Sequence, residues 1–322
     1  MQTHPLRKLL VAMLAAGALL STFAKAQGFP TKPITIVVGL AAGGSTDVLT
    51  RMIATKIRVG LKQEVIVENR TGAASLVALN YVRGQPADGY TLIIISTSIT
   101  TLPSLNSNAK YSVEKDFTPV AGVGRGVMVL VAVPEAGIKS VADLIQQAKA
   151  SPGKLNWGLA STYGFDHLGA LRIMRDAGIQ IETVGYKGDA PLRTDLMAGR
   201  VQIALGGFVT DATSGKLVPL AVSTPTRWPT LPNVPTLAEA GLKDSSAEPW
   251  FGAFGPAGMP REVVATLNRE ISAAVQTPEV EGLLEKIGWR PMPLNPAQIT
   301  ELALSNERTW SQLIKALGVK PE

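Results

Sequence analysis

The sequence has no cysteine and only two histidines, His4 and His167. Without a thiol there is no disulfide and no lipid anchor attached through cysteine. With one histidine beyond the first few residues, a histidine-built metal site is excluded. No basic cluster is dense enough to engage nucleic acid. A D-x-[DN]-x-[DN]-G calcium loop, a G-x-S-x-G nucleophile elbow and a G-x-G-x-x-G dinucleotide loop are all missing. Nothing here calls for a metal or a cofactor. Beyond the first residues, no segment approaches the roughly 18 apolar residues that a membrane span needs.

The first 26 residues read differently from the rest. Arg7 and Lys8 precede an apolar run over 9–20, and Ala24-Lys25-Ala26 follows it. That pattern is a secretory signal peptide with an A-x-A cleavage site, its apolar run too short to span a bilayer. The expectation is a periplasmic protein that begins at Gln27 and is not lipid-anchored. Removing Arg7, Lys8 and Lys25 takes the net charge from +6 to +3, and removing 1–26 leaves 296 of the 322 residues. That length suits two domains.

The mature part alternates strands and helices. Short, branched, apolar strands are predicted at 34–39, 64–68 and 91–96, with helical patterns at 45–58 and 73–83 between them. A Ser- and Asn-rich loop is expected over 102–115. A second series begins with a strand at 127–133. Helices follow at 140–150 (Ser140 capping), 165–177 and 190–198, and strands at 155–159, 181–185, 201–205 and 217–222. Residues 228–235 hold three prolines and are read as irregular. Three helices close the chain, at 261–276, 278–287 and 296–317, with no strand between them. Two such series imply two α/β lobes, each a mainly parallel sheet flanked by helices, with a ligand cleft between them. The division reads 27–126 plus 249–322 for the first lobe and 127–248 for the second. The stretches 120–128 and 248–255 are the candidate crossings and hinges.

The most informative segment is Leu40, Ala41, Ala42, Gly43, Gly44, Ser45, Thr46 and Asp47, which joins the first strand to a helix. Its glycine spacing approaches a Walker loop but lacks the lysine, which argues against a nucleotide. Small residues before a helix start still expose backbone N–H groups to an anion, favoured by the helix dipole. The alternative is a tight turn with Ser45 as N-cap. An inward-facing Asp47 would repel an anion, so it is expected to turn back onto loop amides or to read a ligand hydroxyl. Further polar groups occupy corresponding strand ends. These are Ser96, Thr97 and Ser98; Ser161, Thr162, Tyr163 and Gly164, followed by His167; and Tyr186, Lys187 and Gly188. Tyr186 offers an aromatic wall and a hydroxyl, and Lys187 a cation. A hydrolase pairing Ser161 or Ser96 with His167 is the catalytic rival; a first-turn histidine more often supports a loop.

An ordered set of motifs then carries a resemblance. It comprises Phe29-Pro30, Lys32-Pro33-Ile34, A-A-G-G-x-x-D at 41–47, Val67-Glu68-Asn69-Arg70, Gly72-Ala73, Ala87-Asp88-Gly89-Tyr90-Thr91-Leu92, Tyr186-Lys187-Gly188, Gly215-Lys216-Leu217 and Val234-Pro235-Thr236-Leu237. The sequence resembles the Bug family of periplasmic solute receptors of tripartite tricarboxylate transporters across essentially its whole mature length. The resemblance implies a two-lobed type II periplasmic binding fold, most simply a monomer. Such a protein captures a small organic acid (a di- or tricarboxylate or an aromatic acid) and delivers it to membrane permease subunits. It implies no catalysis. It assigns Leu40 to Thr46 to a first anion loop, Ser161 to His167 to a second, and Tyr186-Lys187-Gly188 to a third. A sensor that passes the same closure to a signalling partner is the other reading. Departures fall at Thr71, where the family has proline, at Ala74-Ser75, where G-N-type residues are usual, and at Gly206-Gly207-Phe208, where an aspartate is frequent.

Overall fold

The computed structural model describes residues 28–160, 165–186, 188–243, 248–286, 288–316 and 318, with Ser45 described by its backbone alone. The signal segment and Gln27 lie outside the described residues, as do Ser161, Thr162, Tyr163, Gly164 and Lys187. No described helix is long and apolar enough to cross a membrane.

Two sheets organise the chain. The first contains β1 (Ile34–Val38), β2 (Val65–Asn69), β3 (Thr91–Ser96), β4 (Phe117–Gly126), β10 (Trp250–Pro256) and β11 (Trp289–Pro291). Its order is β11-β4-β10-β3-β1-β2. The second contains β5 (Val129–Ala132), β6 (Asn156–Leu159), β7 (Glu182–Gly185), β8 (Ile203–Gly206) and β9 (Val218–Val222), ordered β7-β6-β8-β5-β9. The two orders obey one rule. Three parallel strands lie on one side, then an antiparallel strand contributed across the lobe boundary (β10 or β5), then β4 with β11 in the first sheet and β9 in the second. The sheets are therefore mixed, with the parallel direction dominant.

Alternating apolar residues explain why both faces are covered. Ile34, Ile36, Leu92 and Ile94 meet the helices Ser45–Leu61, Arg261–Val275 and Pro278–Lys286 on one side of the first sheet. Val37, Ile93 and Ile95 meet Leu76–Arg83, Ser98–Leu105 and Pro296–Ala316 on the other. In the second sheet, Leu130 and Ala132 face one core while Val129 and Val131 face another. Ser140 caps the helix Val141–Ala150 by accepting from the Asp143 amide at 3.0 Å. The helix Phe165–Ala177 has the predicted limits.

Four expectations need correction. The stretch 120–126 is not a hinge but part of β4, which pairs along its length with β10. Its Gly122, Gly124 and Gly126 keep one face bare because a Cβ there would press on the Met292 carbonyl, Leu284 and the Trp289 ring. The crossings shrink to Val127-Met128 and the residues before Trp250. A strand, β11, lies between the last two helices. The loop over 102–115 is partly helical, through Ser98–Leu105 and Val113–Asp116. The helix expected from residue 73 starts at Leu76, after a left-handed turn over Ala73–Ser75.

The lobes also touch directly. Phe165 and Leu168 of the second pack on Leu105, Trp310, Leu313 and Ile314 of the first. The Phe165 and Trp310 rings meet edge to face at 5.0 Å between centroids.

Candidate functional site

The carboxyl ends of β1, β2 and β3 share one edge of the first sheet, and the loops there form one wall of the candidate site. At the end of β1 the chain passes Gly39, where a Cβ would collide with Ser75 and lie 2.5 Å from its Oγ. Leu40, Ala41, Ala42, Gly43 and Gly44 are then all exposed, Leu40 by 48%. Gly43 has φ +81°, a backbone that glycine adopts without strain. Gly44, with φ −73° and ψ 165°, is the N-cap, and Ser45 is the first helical residue. The helix therefore starts on a residue with no side chain to cap it. Its first-turn amides lack intrahelical acceptors, and no side chain at the N-cap accepts from them. Ser45 is thus not the N-cap that the tight-turn alternative required. Thr46 is buried and its carbonyl accepts from the Thr50 hydroxyl at 2.7 Å.

Asp47 turns back onto the loop. It is 2% exposed. Its Oδ2 accepts from the Gly43 amide at 2.9 Å and from Arg51 Nε at 3.0 Å, and its Oδ1 accepts from Asn69 Nδ2 at 2.9 Å. The Arg51 bond, then the Gly43 amide and Asn69, hold its carboxyl down at about 2. Asn69 Nδ2 also donates to the Leu40 carbonyl at 3.0 Å. Asp47 and Asn69 therefore fix both ends of the loop. The sequence singled out Asp47 and quoted Asn69 only within a motif.

The hydroxyl trio after β3 divides. Ser96 Oγ donates to Ser98 Oγ at 3.0 Å, and both residues stay partly accessible. Thr97 does not offer its hydroxyl to the cleft. It is buried, accepts from the Trp250 amide at 2.9 Å and donates to the Trp250 carbonyl at 3.3 Å, so it ties β3 to β10.

In the second lobe, the Gly188 amide donates to the Ala160 carbonyl at 2.8 Å, and the Tyr186 amide to the Leu159 carbonyl at 2.8 Å. The loops after β6 and β7 are thereby joined. The Tyr186 hydroxyl donates to Asp195 Oδ2 at 2.8 Å, and burial together with that carboxylate pushes its phenol up to about 12. Tyr186 keeps an aromatic face, while its hydroxyl is committed. His167 is 8% exposed in the first turn of its helix, and burial lowers its pKa against the opposing charge of Asp166. Asp189, at the start of the next helix, was read past in the sequence. Its side chain is accessible, yet surrounding protein raises its pKa, and Asp166 raises it further.

Known proteins agree with this architecture. Residues 49–319 match the profile described as "Tripartite tricarboxylate transporter family receptor". BugT of Bordetella pertussis is 31% identical over 315 residues, covering 96% of this chain and 97% of BugT. An R. palustris protein solved with adipate is 32% identical, with a TM-score of 0.79 over 91% of this chain and 100% of that one. MatC from Rhodopseudomonas palustris, solved with bound malate, is 27% identical, with a TM-score of 0.74 over 89% of this chain and 100% of that one. A chain that matches such a profile over most of its length and shares this two-sheet fold belongs to the Bug/TctC family of periplasmic solute-binding receptors.

Proposed function

We propose that this protein captures a small organic carboxylate in the cleft between its lobes and delivers it to the membrane permease of a tripartite transporter. The observation that carries the reading is the uncapped, exposed helix start at Gly44, with Asp47 turned away from it to hold Gly43. A buried carboxylate needs charge-assisted hydrogen bonds, and in this reading the uncapped amides donate them. Adipate and malate in the related structures support a di- or tricarboxylate, and an aromatic acid is the variant on the same theme.

In this reading Leu40 to Thr46 take a carboxylate. The loop 161–164, His167, the Tyr186 ring, Lys187 and Gly188 close over the remainder, and Asp189 accepts from a ligand hydroxyl or bridging water. Thr97 supports the site from behind. The lobes, 27–126 with 249–322 and 127–248, rotate about Val127-Met128 and the residues before Trp250. The ligand favours the closed form only through contacts it makes with both walls at once. The protein acts in the periplasm as a monomer after loss of residues 1–26, and it catalyses nothing.

The test is a thermal-shift and calorimetric screen of organic acids, with each hit repeated as its amide or methyl ester. At a hundredfold excess over its dissociation constant, the acid should stabilise the protein by about 2.7 kcal/mol. Small-angle scattering should show a smaller radius of gyration. Equal binding of acid and ester would refute the carboxylate reading.

A further inference from the structure

The turn between β2 and the helix Leu76–Arg83 stands out on two independent grounds. Ala73, Ala74 and Ser75 have φ values of 43°, 52° and 78°, three consecutive left-handed residues that are not glycine. L-residues resist this conformation, and it persists where the surroundings over-determine it, commonly at ligand clamps. The second ground is chemical. Ser75 is 5% exposed, and its hydroxyl has no hydrogen-bond partner among the described residues. Its oxygen is not among the fully enclosed polar atoms, so this otherwise buried residue presents a hydroxyl that no described residue holds and that is open to an incoming group.

Position connects the two. The turn follows β2, whose neighbour in the sheet is β1, so it lies at the same edge as the anion loop. Ser75 packs against Gly39, the residue from which that loop departs, closely enough that no side chain fits at Gly39. A right-handed backbone over 73–75 would carry Ser75 away from this contact.

We propose that the Ser75 hydroxyl donates to the ligand carboxylate held by the 40–46 loop, and that the strained turn exists to place it there. This rests on the carboxylate-receptor reading above. Ser75 is thus a ligand-binding residue, carried by the turn that leads into the helix Leu76–Arg83.

Ser75→Ala and Ser75→Gly test it, with succinate, malate and adipate as probes in calorimetry and with melting curves of the ligand-free proteins. Ser75→Ala removes the hydroxyl and retains the backbone constraint. It should weaken every acid that the wild-type protein binds by about tenfold to a hundredfold, the range for a hydrogen bond to a charged group. Its melting temperature should not fall. Ser75→Gly should lose the same affinity while melting higher, because glycine relieves the left-handed strain. A residue that merely packs would lose stability and affinity together, or lose neither. Unchanged affinity in Ser75→Ala, beside a wild type that binds, overturns this inference and leaves the receptor intact. A loss confined to malate overturns the carboxylate assignment, since the hydroxyl would then read malate's own hydroxyl. A wild-type protein that binds none of the three removes the dicarboxylate reading, and this inference with it.

Discussion

Replacing Gly44 by aspartate separates what the anion loop does for the fold from what it does for a ligand. Gly44 has the extended backbone usual for an N-cap, so a side chain there brings no strain. A Cβ at this position meets only the Ala41 carbonyl, at 3.4 Å. An aspartate would accept from the first-turn amides and stabilise the helix by a few tenths of a kcal/mol relative to glycine. The ligand-free melting temperature should accordingly stay within about 2 °C or rise slightly. Binding should suffer from two losses. The carboxylate competes for an amide whose charge-assisted bond is worth about 1.5–3 kcal/mol. It also places a like charge near the ligand, which costs about 4 kcal/mol at 4 Å and an effective dielectric of 20, and about half that once the open cleft screens it. Together these give about 4 kcal/mol, close to a thousandfold in dissociation constant. Gly44→Asn caps the same amides without the charge and should lose only about tenfold. Calorimetry with the best acid, beside melting curves, reads both quantities. Affinity within threefold of wild type in Gly44→Asp would show that these amides hold no ligand. A melting temperature several degrees lower would show that the backbone at Gly44 is not an N-cap.

Two further outcomes follow from the hydrogen-bond networks. Asp47 is held at about 2 in the fold against an ordinary value of 3.8, so its contribution is full above pH 4 and fades as the pH falls towards 2. Allowing for the half-exposed Arg51, Asp47→Asn should cost about 2 kcal/mol at pH 7, with about half of that gap gone by pH 3. Urea denaturation of both proteins at the two pH values checks this, and a gap independent of pH would contradict it. Thr97→Val leaves the Trp250 amide without its acceptor in a buried position and should cost about 1–3 kcal/mol. Ligand affinity should hold, and an affinity loss at unchanged melting temperature would return Thr97 to the cleft.

The parts of the fold that depend on local periodicity were legible. Branched apolar runs placed β1 and β3, and the 3.6-residue pattern with Gly178 placed the end of the helix Phe165–Ala177 at Ala177. What failed depends on distant partners. The strand character of Gly122, Gly124 and Gly126 comes from β10 on one side and β11 on the other, and no local signal distinguishes it from a flexible linker. The same holds for Trp289–Pro291, three residues that become a strand only because β4 passes beside them. In the candidate site, charge logic foresaw that Asp47 turns back onto the loop amides, as its bond from Gly43 shows. Thr97 looked like its neighbours in sequence, because burial behind β10 is invisible there. Asp189 was passed over because Asp166, which raises its pKa, is distant in the chain.

The apolar contact of Phe165 and Leu168 with Leu105, Trp310, Leu313 and Ile314 has a consequence for entropy. Two bodies joined by two short crossings could swing and twist in several directions. A third attachment, formed by large side chains beside the crossing at Glu248 and Trp250, narrows the rotation in the proposed closure. An incoming solute then has less motion to fix, and less of its interaction energy is spent on ordering the protein.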